Sequence, residues 1–145
     1  MSNFGKQVVA AAEAWIGTPF HAQASVRGVG CDCKGLVAGV ARDLGRPEAG
    51  SWAAAMADYD IGQVPVVQLR MGLEELFDKV EGVPMPGDVL LLRVGVRLQH
   101  LAIHAGEGPQ GPEMIHCWSR GSQRVVRCPI GSYWQVQSAW RWRQL

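Results

Sequence analysis

In this chain the helical periodicity falls before Pro86 and the strand-like segments fall after it. Apolar residues recur at helical spacing at Val8, Ala11, Ala12 and Trp15, at Leu36, Val37, Val40 and Leu44, and at Leu69, Leu73, Leu76, Phe77 and Val80. These stripes predict helices over residues 3–15, 32–44 and 69–80. Gly17-Thr18-Pro19 stops the first and Gly45 the second, and residues 21–30 read as a glycine-containing loop. Ser51 caps a further short helix over residues 52–57. Beyond Pro86, residues 88–94, 98–105, 113–118, 124–129 and 137–142 are short β-rich runs separated by Gly, Pro or Ser turns. Helices first and strands afterwards predict an α+β domain, with a helical N-terminal part packed on an antiparallel sheet.

Its 145 residues suit one domain over 1–145, and 48% apolar against 19% charged residues is ordinary globular composition. No apolar run reaches 18 residues, so no membrane span is expected. The first fourteen residues lack the basic start, long apolar run and cleavage site of a secretory signal. Synthesis in the cytoplasm without a signal peptide is the expectation. Residues 1–90 hold seven Lys/Arg and eleven Asp/Glu, net −4, and residues 91–145 hold seven and two, net +5. The arginines of the basic half fall on alternating strand positions instead of clustering, which argues against specific nucleic-acid binding. Four cysteines (Cys31, Cys33, Cys117 and Cys128) in a chain of this type are poor candidates for structural disulfides, and Cys31 and Cys33 are too close in sequence to bond without severe strain.

The chemistry concentrates in three segments. In Gly30-Cys31-Asp32-Cys33-Lys34-Gly35-Leu36-Val37, Cys33 falls in the first turn of the predicted helix. Unpaired N–H groups and the macrodipole there favour an anion, so a depressed thiol pKa is expected. The same N–H groups suit an oxyanion, and Gly35 leaves room for a substrate backbone. The alternative for Cys33 is a small buried hydrophobe. In Gln99-His100-Leu101-Ala102-Ile103-His104, strand alternation puts His100, Ala102 and His104 on one face. His100 is the candidate base, and His104, further along, a peripheral or structural histidine. In Met114-Ile115-His116-Cys117-Trp118, antiparallel pairing brings His116 beside His100, able to orient it, with Cys117 on the opposite face. Nucleophile, base and orienter together are the pattern of covalent acyl transfer.

The chain here resembles the NlpC-type cell-wall peptidases, papain-like cysteine endopeptidases. Gly17-Thr18-Pro19-Phe20, Asp32-Cys33-Lys34-Gly35-Leu36, Pro86-Gly87-Asp88, His100-Leu101-Ala102-Ile103 and Ile115-His116 carry the resemblance, in family order. It implies cleavage within peptidoglycan stem peptides, often between D-glutamate and diaminopimelate. Cys33 is implied as nucleophile, His100 as base, His116 as third polar residue, and no cofactor is implied. Asp32 matches the position associated with the amino end of the stem peptide, and it is equally a helix cap. Two residues depart from the pattern. Phe20 replaces a usual Tyr, with His21 next to it as a possible substitute. Lys34 replaces a usual Ser, and its cation either meets a substrate carboxylate or lies in solvent. The compact form is similar to the peptidases of phage tails and phage-like gene transfer agents. It implies tail-tip, hub or baseplate partners and action on the cell wall in the periplasm.

Two rivals belong beside this reading. Cys31, Cys33, His100, His104, His116 and Cys117 are all zinc-competent, but their spacings are poor: Cys-x-Cys is not a zinc knuckle, and two histidines four apart on a strand are separated by roughly 13 Å. No metal is therefore expected. The second rival is a non-catalytic tail-tip plug that binds the cell wall through its tryptophans, Trp134, Trp140 and Trp142 among them.

Overall fold

The computed structural model describes residues 3–46, 66–95 and 98–143. The chain runs α1 (Asn3–Glu13), β1 (Ser25–Val26), β2 (Gly30–Cys31), α2 (Cys33–Asp43), α3 (Val66–Leu76), β3 (Phe77–Lys79), β4 (Val89–Val94), β5 (Leu98–Gly108), β6 (Gly111–Cys117), β7 (Val125–Pro129) and β8 (Gln135–Trp142). Six strands form one sheet in the order β3-β8-β4-β5-β6-β7, every neighbouring pair antiparallel. The α+β expectation holds.

Alternation along the strands gives the sheet two different faces. Leu91, Leu101, Ile103, Ile115, Cys117 and Val125 pack with Val8, Ala12 and Trp15 and with Leu36, Val37 and Val40 of α2. Leu90, Leu92, Ala102, Met114 and Ala139 form a smaller cluster on the other face, with Trp134, Cys128 and Ile130 against it. Each fully buried aliphatic side chain here contributes about 2 kcal/mol. Trp15 lies on α2 where Gly39 has no side chain, and its indole N–H donates to Asp43.

Two segments depart from the sequence expectation. Residues 21–30 are not all loop: β1 and β2 make a small hairpin, pairing Val26 with Gly30 and Ser25 with Cys31. Gly28, at φ +79°, supplies the left-handed turn that closes it. The stripe predicted to continue as helix to residue 80 ends at Leu76, and Phe77–Lys79 pairs with β8 instead. The cause is tertiary. The Arg143 guanidinium donates to the carbonyls of Glu74, Glu75 and Phe77, satisfying the helix end, and the Phe77 ring meets Trp142 edge-on at 4.8 Å. The helix predicted over 52–57 lies outside the described residues.

The motifs outside the catalytic candidates hold the frame. Gly17, Thr18 and Phe20 stitch the chain to the edge beside β7: Gly17 N–H donates to Val125, Val125 N–H to Thr18, and Phe20 N–H to Gln123. Asp88, buried before β4, accepts two bonds from Arg141 at 2.8 and 2.9 Å and one from Met85 N–H.

Candidate active site

The start of α2 is built on Asp32. Its Oδ1 accepts from Gly35 N–H at 2.7 Å as the helix cap, and its Oδ2 accepts from Gln23 N–H at 2.8 Å, tying the preceding loop to the helix. Lys34 Nζ lies 3.3 Å from the same Oδ2. Both side chains are buried, so of the two alternatives for Lys34 the solvent-facing one is excluded: its ammonium is turned inward to balance a carboxylate that capping requires. The expectation for Gly35 changes too. A Cβ there would overlap the Ala24 carbonyl oxygen, so its bareness admits the protein's own loop and not a substrate backbone.

Cys33 opens α2 and is buried in the helix-side core with Cys31 and Cys117. Its thiol pKa is not depressed, as a helix N-terminus alone would have it, but pushed up to about 12. Burial is the main cause, with the Asp32 charge next; the Leu101 backbone N–H aimed at the sulfur and the Lys34 cation pull the other way. Leu101 N–H is accessible because β6 pairs with β5 only from Ile103 onward. Beside this thiol, Cys117 Sγ donates to the Cys31 carbonyl at 3.4 Å, and Cys31 is held protonated by its contact with Cys117 and by burial.

Across the sheet, His100 and His116 come together as the register expectation required. His100 Nε2 lies 2.8 Å from His116 Nδ1, with the rings edge to face. His116 Nε2 in turn lies 3.3 Å from Cys128 Sγ on β7. Trp134 stacks on His100 at 4.8 Å and 26°, and Trp118 and Tyr133 extend this aromatic wall. Burial, then the neighbouring His116, drives the His100 pKa well below the usual histidine range, and burial lowers that of His116 to about 4. Both imidazoles are neutral near pH 7. The remaining nitrogen, His100 Nδ1, is buried and has no hydrogen-bond partner.

The imidazole pair and the thiol therefore approach from different faces. His100 shares its side of the sheet with Ala102, Met114 and Trp134, whereas Cys33 belongs to the α2 side. The link between them on β5 is the peptide N–H that directly follows His100, which acts on the Cys33 sulfur. No hydrogen bond joins the Cys33 sulfur to His100 Nδ1.

Phe20 is half-buried against the helix-side core, and His21 is exposed, its Nδ1 3.3 Å from the Ala22 carbonyl. His104 is buried, accepts from Gly106 N–H at Nδ1, and borders a groove of about 490 Å³ with Leu90, Glu107 and Pro112. The zinc-competent residues are split, the three cysteines on the helix side and the histidines on the other, so they do not converge on one centre. Sequence reasoning named Trp134 only as a wall-binding tryptophan and Cys128 only as one of four cysteines, and missed their contacts with His100 and His116. Cys128 follows His116 by twelve residues and alternates in phase with it once β6 and β7 pair Met114 with Cys128, a register legible only from the intervening turn.

No protein-family model matches the chain, and no curated protein matches it in sequence. Solved structures do match it. NlpC1 from Trichomonas vaginalis aligns over 98% of this chain at 17% identity, with a TM-score of 0.67. NlpC2 from the same organism aligns over 99% at 18% identity and 0.68. This chain covers only 45% and 48% of those two proteins. The NlpC/p60 domain of the peptidoglycan hydrolase SagA aligns over 94% of this chain and 97% of its own length, at 24% identity and 0.60. The fold is of NlpC/p60 type.

Proposed function

We propose that this chain is a cysteine peptidase hydrolysing an amide bond in peptidoglycan stem peptides, with Cys33 as nucleophile, His100 as general base and His116 as its orienting partner. One observation carries the reading. His100 gives Nε2 to His116 and keeps a buried, unpartnered Nδ1, and the peptide N–H that directly follows it on β5 acts on the Cys33 sulfur. With the thiol raised to about 12 and the imidazole neutral, both groups rest uncharged, so the nucleophile forms by proton transfer as the substrate arrives. Hydrogen bonds of this kind are often loose before substrate closes the site.

Sγ–H gives its proton to His100 Nδ1 while sulfur bonds to the amide carbonyl carbon. The Cys33 backbone N–H, at the open start of α2, stabilises the oxyanion. The C–N bond then breaks and His100 returns the proton to the departing amine. Water, deprotonated by His100, cleaves the thioester and the proton goes back to sulfur. Asp32 and Lys34 hold the helix start that carries Cys33, and Phe20 and His21 form the rim that meets the stem peptide. The D-glutamyl–diaminopimelate bond, a phage-like tail as carrier and action in the periplasm are the finer parts of the proposal, supported by the motif resemblance.

The burial of Cys33 favours one second reading, a non-catalytic wall-binding plug of such a tail. Mass spectrometry of muropeptides digested in reducing buffer separates the two. Stem-peptide cleavage by the wild type, lowered at least about a thousandfold in Cys33→Ala and retained in Cys31→Ala, is the expected result. An inert wild type favours the plug, and an inert Cys31→Ala would move the nucleophile.

A further inference from the structure

His100, His116 and Cys128 lie on three adjacent strands, β5, β6 and β7, on the same face of the sheet. Their contacts form one diagonal line, Nε2 to Nδ1 at 2.8 Å and Nε2 to Sγ at 3.3 Å. A line of this kind is decided by its far end. For His100 to take a proton at Nδ1, its own proton must sit on Nε2 and be donated to His116 Nδ1. His116 then carries its proton on Nε2, aimed at Cys128. Were Cys128 the donor instead, His116 would hold its proton on Nδ1 and force the proton of His100 onto Nδ1, where a base is useless.

We propose that Cys128 is a positioning residue: its sulfur accepts the Nε2–H of His116 and so keeps Nδ1 of His100 free of its proton. This rests on the reading of His100 as base. Cys128 is suited to the role because it is half-buried on the edge strand and packs against the lesser core cluster. The groups that face the pair are few. Glu113 of β6 acts on Cys128, and Arg127 holds that carboxylate at 2.8 Å. His116 acts on His100, and Trp134 closes the aromatic side.

The test compares wild type, Cys128→Ser and Cys128→Val by long-range proton–nitrogen correlation spectra of the histidine rings and by kcat and KM against pH on muropeptides. In the wild type both histidines should carry the proton on Nε2. Valine has no acceptor, so His116 should populate the Nδ1 tautomer, with kcat lowered about tenfold, KM within twofold, and the acid limb of kcat/KM displaced. Serine should restore most of both. A Cys128→Val protein with the wild-type tautomer, or a wild-type His116 protonated on Nδ1, overturns the proposal. If no variant cleaves, the peptidase reading falls by itself, and the ring spectra alone decide for or against Cys128.

Discussion

At the scale of single residues, the candidate site is governed by what burial does to charge. Asp32 holds a cap bond, a loop bond and the Lys34 ammonium, all out of water. Removing one partner of such a pair leaves the other buried and alone. Asp32→Ala is therefore expected to lose about 4 kcal/mol of stability in urea unfolding, and Asp32→Asn, which keeps the two acceptor contacts in part, distinctly less. Equal losses in the two variants would show that the cap and loop hydrogen bonds contribute nothing and that the lost charge facing Lys34 accounts for the whole effect. Cys33 obeys the same rule in the opposite sense. The helix start favours its thiolate, but burial keeps the sulfur protonated. Its alkylation by iodoacetamide, followed by peptide mass mapping, should therefore be slow at pH 7 and should climb steadily through pH 9 and 10. Fast, pH-independent labelling would mean a preformed thiolate.

At the scale of elements, α2 is the piece that places the site, and its glycines are the sharpest test of how. Helix propensity alone makes Gly35→Ala stabilising by about 1 kcal/mol. Packing opposes this, since the new methyl would strike the Ala24 backbone oxygen, which a rigid hairpin cannot withdraw. Overpacking of that kind costs about 1–3 kcal/mol, so the net expectation is a lower melting temperature. A higher one would show that the loop before α2 yields freely. The periodicity of α1 and α2 was legible because their apolar stripes have a single sheet to face. That of α3 was overextended, because its stripe runs on into Phe77, which serves a strand.

At the scale of the whole molecule, His100, His104 and His116 are buried neutral and all have their pKa lowered by burial. An unfolded chain binds protons at these positions near pH 6.5 while the folded one does not, so stability is complete above that pH and is lost as the pH falls toward 4. His116 alone, moving from 6.5 to about 4, accounts for about 3 kcal/mol. Urea midpoints measured between pH 7 and 4 should fall accordingly, with a shallower fall in His116→Gln. A flat profile would mean that these imidazoles are protonated in the native state.

What the amino-acid order determined by itself was local and periodic. It set the long strands after Pro86, the helical stripe behind Cys33, and the in-phase placement of His100 and His116 on neighbouring strands, since hydrophobic period and strand alternation act within a few residues, whereas the three short strands before Pro86 were not legible. The tertiary structure decided what depends on distant neighbours. It turned Lys34 inward, gave Gly35 to the Ala24 carbonyl, raised the Cys33 thiol and brought Cys128 to His116. Burial and close approach are properties of the packed chain, and no spacing along the sequence carries them.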